Sequence, residues 1–228
     1  MDYLITSLNT ALGMIINLNR EVMDAVGTSL YTSFTAILIA AIFGIPCGAA
    51  IGMWTFPGKR LAVTLLNTLM ALPTVVVGLL LFGLFSRQGP LGPLGLLFTP
   101  WAMIAGQVVL ATPIVANYTL AAVTGADQRI LPTAITLGAG RLRGAWQLLQ
   151  EVRFGVMAAI VAGFGRVVAE VGVAMMLGGN IRGTTRTMTT AIAMETSKGE
   201  FAFGLALGIV LMSVALTINL FLNLVQQK

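Results

Sequence analysis

The sequence predicts an all-α protein that sits in a membrane as a polytopic helical bundle, and three observations lead there. Of 228 residues, 57% are hydrophobic and 9% charged, and the mean hydropathy is +0.92, far from the balance of a soluble domain. Residues 25–58, 61–86 and 88–126 contain no Asp, Glu, Lys or Arg, and each window exceeds the ~20 residues that carry a helix across a bilayer. Histidine is absent and Cys47 is the single cysteine, which excludes haem axial pairs, Cys/His zinc sites and internal disulfides. A soluble enzyme and a cofactor-bearing respiratory subunit are thereby set aside.

Taken in order, residues 1–24 come first. Leu4, Leu8, Ala11, Leu12 and Ile15 recur at helical spacing with Asp2, Asn9, Asn17 and Asn19 among them, the pattern of a helix lying in the membrane interface. A cleaved signal peptide would carry a basic region before its apolar run, and the only early charge is Asp2. Residues 25–228 form one transmembrane domain, with five spans expected near 28–53, 61–85, 101–124, 156–178 and 202–225. Pro73 removes the partner of the Leu69 carbonyl, so a kink or discontinuity is expected in the second span, and Pro113 poses the same question in the third. No internal repeat or low-complexity segment is visible.

Charge orients the bundle. With five spans, loops 54–60 and 125–155 share a side with the C-terminus and carry Lys59, Arg60, Arg129, Arg141, Arg143, Arg153 and Lys228 against Asp127 and Glu151. The opposite side holds Arg20, Arg87, Arg182, Arg186 and Lys198 against Asp2, Glu21, Asp24, Glu195 and Glu200. The positive-inside rule therefore places the N-terminus outside and both loop 125–155 and the C-terminus in the cytoplasm. The net charge of +5 is scattered over the ends of apolar segments rather than gathered in a patch, which speaks against a nucleic-acid partner. Five helices make a thin wall for a pore and favour two copies of the chain.

Loop 125–155 is too long and too apolar for a plain connection. Pro132, then ITLGAG, then RLRGAWQLL indicate two short helices broken at glycines, able either to dock a partner or to rest on anionic lipid. TLGAGRLRGAW resembles the cytoplasmic coupling loop of ABC importer permeases, a pattern of E-A-A, three residues, G, nine residues and I-x-L-P. Ala134 matches one of its alanines, Gly138 the central glycine and Leu148 the later aliphatic position. Ala139 follows the glycine, while Arg141 and Trp146 are of types common between the anchors. Pro132 stands in place of the opening glutamate and Glu151 in place of the closing proline.

The segment after the loop, GRVVAEVGVAMMLGGNIRGTTRTMTTAIAMETSKGEF, resembles permeases of molybdate, sulfate and tungstate importers over a longer stretch. Arg166, Glu170, Gly172, Gly179, Asn180, Ile181 and Gly183 keep the framework, whereas Ala169, Val171 and Arg182 depart from the molybdate and sulfate form. AEVG with GGNIRG and AMETSKGEF is closer to the tungstate branch, which ALPTVVVGLLL at 71–81 also fits. The resemblance covers most of 28–225. It implies a type I ABC importer permease in a prokaryotic plasma membrane, the inner membrane of a Gram-negative cell. It also implies a second permease copy, two cytoplasmic ATPase subunits that carry the ATP, and an extracytoplasmic oxyanion-binding protein. No cofactor is expected on this chain, and no catalytic residue.

Two groups of residues are candidates for the transport path or its gate. Arg166 and Glu170 lie one helical turn apart in an apolar span, where they either neutralise one another and hold the helix in place or take part in gating and anion passage. Gly178, Gly179, Asn180 and Arg182 offer flexible backbone, an amide and a cation that suit the mouth of an anion path, yet Gly-Gly-Asn after an apolar helix also fits a C-terminal cap. An ion-coupled secondary transporter or channel is the rival reading, with Glu170 as the lone intramembrane carboxylate and no inverted repeat to support it. A purely structural membrane subunit is the other alternative.

Overall fold

The computed structural model describes residues 2–127 and 129–226, with side chains except those of 2–4, 219, 221–223 and 225–226. Lys228, counted above in the charge balance, and the side chains of Asp2 and Leu4 lie outside the described residues. Helix α1 (Asp2–Ile16) packs against the last helix, with Ala11 fully buried. The chain then turns with Leu18 at φ 48°, and the Asn19 carboxamide oxygen accepts the Glu21 and Val22 N–H groups at 3.0 and 3.4 Å. That cap starts α2 (Arg20–Met53). The expected interfacial segment 1–24 is therefore divided, since 20–24 already belong to the first long helix. At 34 residues α2 is about 50 Å long and outruns the ~30 Å apolar thickness of a bilayer.

The fold is organised by α2 against α5 (Pro100–Thr124). Gly44, Gly48 and Gly52 recur every fourth residue on α2 and allow close approach. A Cβ on Gly44 would sit 3.0 Å from the Thr112 carbonyl oxygen, one on Gly48 would collide with the Ala116 carbonyl, and one on Gly52 would sit 2.7 Å from Val123 Cγ1. Small residues at such spacing draw membrane helices together through dispersion contacts rather than a hydrophobic drive.

Between these helices the expected span 61–85 is two helices, α3 (Lys59–Met70) and α4 (Thr74–Phe85), bent 94° apart. Pro73 supplies the break: it has no N–H to donate, and with φ −63° and ψ 125° it becomes the N-cap of α4. A short 3₁₀ turn, Gly92–Leu94, leads on to α5.

Loop 125–155 contains α6 (Ile130–Thr136) and α7 (Arg141–Glu151). A bend of 73° separates α7 from α8 (Arg153–Val168). Because α7 carries Arg141, Arg143 and Glu151, it is α8 that continues the apolar span. The expected helix 156–178 begins earlier, at Arg153, and is broken after Val168, resuming as α9 (Gly172–Gly178). The break is closed by tertiary bonds: Glu170 Oε1 accepts the Val173 N–H at 3.1 Å, and Thr189 donates to the Glu170 carbonyl at 2.7 Å. An unanticipated helix, α10 (Met188–Ser197), opens with a reciprocal cap between Thr187 and Thr190. The last described helix is α11 (Phe201–Gln226).

The buried core is divided along its length. Val22, Ile37, Val115, Phe164, Val167, Met188 and Leu207 join α2, α5, α8, α10 and α11. Val77, Leu110, Val173 and Leu177 join α4, α5 and α9, and Ala49, Val123 and Leu148 seat α7 beneath α2 and α5. Helices α2, α5 and α11 are each long and apolar enough to cross a bilayer unbroken.

Candidate functional site

Two regions collect the residues singled out above. The first is the α6–α7 hairpin. Gly138 has φ +89°, a conformation that costs a side-chain-bearing residue ~1–2 kcal/mol, and its N–H bonds back to the Ile135 carbonyl at 3.0 Å. The Ala139 N–H does the same to Ala134 at 2.9 Å, so Ala134, Gly138 and Ala139 together make the turn. A Cβ on Gly138 would meet nothing within 4 Å, so glycine is needed there for backbone conformation and not for close packing within this chain.

The hairpin closes through Gly144, where an added Cβ would fall 2.9 Å from Leu131 Cδ1. Leu148 is the inward anchor, buried with Ala49 and Val123. The opposite side of the hairpin is uncovered: Leu137, Leu142 and Trp146 are 82%, 83% and 64% exposed, and Arg141 is exposed beside them. Exposed large apolar side chains beside exposed cations are the kind of surface that marks interaction sites.

The second region lies where α8 breaks. Arg166 Nη1 meets Glu170 Oε2 at 2.6 Å, with the Arg166 side chain 37% exposed and that of Glu170 3% exposed. The carboxylate is thus engaged on both oxygens, by Arg166 and by the Val173 N–H. The other span break lies beside it: a Cβ on Gly172 would be 3.0 Å from Thr74 Oγ1, at the start of α4, and 3.3 Å from Glu170 Oε1.

Gly178 and Gly179 end α9, with Gly179 at φ 71° and Asn180 at φ 53°. Asn180 is buried. Its amide reaches Met194 Sδ at 2.8 Å and its carbonyl oxygen accepts from Thr190 at 2.9 Å, so it ties the end of α9 to α10. Thr185 bonds the Gly178 carbonyl at 2.5 Å from the other side, and a Cβ on Gly178 would press on Met103 Sδ at 2.5 Å. Arg182 is exposed and pairs with Glu21 at 3.0 Å, joining this loop to the start of α2.

Sequence reasoning missed Arg186 and Glu195. Both side chains are only 7% exposed and they pair at 3.1 Å, while Lys198 at 3.1 Å and Arg182 at 3.9 Å converge on the same oxygen of Glu195. Removing one partner from such a buried pair leaves the other charge uncompensated, which is costly. The signal available in the sequence was an arginine and a glutamate on either side of the uncharged segment TMTTAIAM.

Three helices long and apolar enough to cross a bilayer, with two further apolar helix pairs each bent at a short break, are the features of a polytopic membrane protein. Residues 44–228 match the family described as binding-protein-dependent transport system inner membrane component, and the chain belongs to that family.

It is 38% identical over 219 residues, 96% of this chain and 92% of the relative, to the tungstate uptake system permease protein TupB of Campylobacter jejuni. The protein of the same name from Peptoclostridium acidaminophilum is 36% identical over 228 residues, covering both chains completely. Among solved structures, an inward-facing MetNI methionine ABC transporter shares the fold with TM-score 0.73 at 18% identity, covering 93% of this chain and 96% of the other. The all-α, type I importer permease fold expected from the sequence is the one observed.

Proposed function

We propose that this chain is the pore-forming subunit of an ATP-driven oxyanion importer whose cargo is tungstate, with molybdate as the second substrate. The observation that carries this reading is end-to-end similarity to permeases named for tungstate uptake, together with the AEVG and GGNIRG forms of the motif. Two copies enclose the path, a binding protein delivers the anion from outside, and two ATPase subunits in the cytoplasm hydrolyse ATP. The N-terminus lies outside and the C-terminus in the cytoplasm, following the charge balance of the loops.

In this assembly the α6–α7 hairpin is the coupling element. Its exposed Leu137, Leu142 and Trp146 supply an apolar contact of the kind enriched at interface hot spots, with Arg141 at its rim. Leu148 fixes the hairpin to α2 and α5, so a displacement of the ATPase reaches the helices that organise the bundle. The turn at Ala134, Gly138 and Ala139 holds the two short helices at a set angle for that contact.

The test is calorimetry on the partner binding protein, followed by ATP-driven uptake in vesicles that hold the complete complex. Tungstate bound in preference to sulfate, an amino acid or a sugar by at least tenfold, about 1.4 kcal/mol, is the expected result. A tenfold preference for any of those others sinks the assignment. The rival reading, a secondary transporter or channel, predicts uptake that needs neither ATP nor the binding protein.

A further inference from the structure

We propose that Arg166 is the oxyanion contact inside the membrane and that Glu170 is its positioning residue, an inference that rests on the oxyanion-importer reading above. Along α8, Arg166 stands thirteen residues beyond Arg153, about 20 Å at 1.5 Å per residue, and so within the ~30 Å apolar thickness of the bilayer. Its Nη1 is held at 2.6 Å by Glu170 on the following turn, which prevents the side chain from reaching back to the membrane surface as unpaired arginines do. A guanidinium has five N–H donors. Among the described residues only Glu170 accepts from this one, and the side chain remains 37% exposed.

Acyl chains offer no acceptors, and polar groups left unmade at bilayer depth are costly. On this proposal the open side of Arg166 faces a hydrated passage. Next to Arg166, Gly165 on α8 and Ala169 just past its end are exposed and carry almost no side chain. A tetrahedral dianion, acceptor on every oxygen, is the ligand class that an arginine fork serves best.

Glu170 explains why such a contact does not become a trap. Its carboxylate is buried and engaged on both oxygens, so it presents no charged face to a passing anion while cancelling the formal charge of Arg166. The pair offers oriented donors with little net charge: enough to replace hydration, too little to hold a dianion. The carboxylate also caps the start of α9 through Val173, which couples the direction of the guanidinium to the break between α8 and α9.

The alternative is that the two charges only neutralise one another, and a set of variants separates the readings. The complete complex, with its ATPase and binding protein, is reconstituted in vesicles for ATP-driven tungstate uptake. Equilibrium dialysis with tungstate is run on the purified complex without the binding protein. Arg166→Gln is expected to lower uptake at least tenfold while the subunits still copurify, and Arg166→Lys, which keeps the ion pair but not the fork, to retain part of it. Glu170→Gln can still accept from Val173 but leaves Arg166 a full cation. It is expected to bind tungstate at least tenfold more tightly than wild type and to transport it more slowly.

The double variant Arg166→Gln with Glu170→Gln is expected to be inactive. If it transports like wild type, the pair is a structural neutralisation and the proposal is wrong. Unchanged tungstate binding in Glu170→Gln overturns it as well, and so does disassembly of the complex in Arg166→Lys, which would make Arg166 an assembly contact. Wild-type complex that takes up no tungstate would instead refute the functional reading, independently of any variant.

Discussion

Replacing Gly48 with alanine tests the closest approach in the bundle. The added methyl would fall against the Ala116 carbonyl, well inside the ~3.3 Å at which carbon and carbonyl oxygen normally meet, so α5 would have to retreat by about 1 Å. It has little room to slide instead, because a Cβ on Gly44 would already be 2.9 Å from Val115 Cβ and one on Gly52 2.7 Å from Val123 Cγ1 on the turns to either side. Overpacking of this kind costs ~1–3 kcal/mol, offset by up to ~1 kcal/mol from the better helix propensity of alanine. The net loss is about 1–2 kcal/mol, which for a chain of this size lowers the unfolding midpoint by roughly 2–8 °C.

Gly83 is the internal control: it lies in α4, where an added methyl group would meet nothing within 4 Å, so Gly83→Ala should be neutral or stabilising by ~0.5–1 kcal/mol. Thermal unfolding of the detergent-solubilised chain, followed by tryptophan fluorescence, gives both midpoints. A Gly48→Ala protein as stable as Gly83→Ala would show that α2 and α5 do not meet at this register.

The orientation is tested by cysteines placed on a Cys47→Ser background. Arg141→Cys should react with a membrane-impermeant thiol reagent only from the cytoplasmic side and Thr184→Cys only from outside, and labelling of both from one side would overturn the topology. Coupling is tested with Gly138→Trp and Trp146→Ala, which should leave the chain inserted but weaken copurification of the ATPase or abolish transport-linked hydrolysis, with oxyanion binding to the isolated partner protein unchanged. Wild-type behaviour of both would remove the α6–α7 hairpin from the mechanism.

The long helices were legible because bilayer crossing is a matter of composition and length, and an uncharged window such as 88–126 has few other fates. The break at Pro73 was legible for a local reason, the missing N–H. Its 94° angle was not, because α4 is directed by packing on α9, where Gly172 admits Thr74 and Gly78 admits Met176. The break at 169–171 had no local signal at all, since VVAEVG contains neither proline nor a pair of glycines. Tertiary partners make it: Thr189, nineteen residues on, takes the Glu170 carbonyl at 2.7 Å.

The charges divide in the same way. Arg166 and Glu170 can be paired from their spacing, because a helix brings residues four apart together. Arg186 and Glu195 are nine apart and cannot; by sequence they are loop charges, whereas in the fold they are the buried tie between α10 and the segment before it. Their place in the fold also bears on Asn180. The sequence leaves it between a cap and a path-lining amide, and its φ of 53° satisfies the first. Its amide and carbonyl are already bonded to Met194 and Thr190 of α10. A passing anion would have to displace those contacts to use it, whereas Arg166, whose one acceptor among the described residues is Glu170, is the residue to which the proposal above assigns the anion.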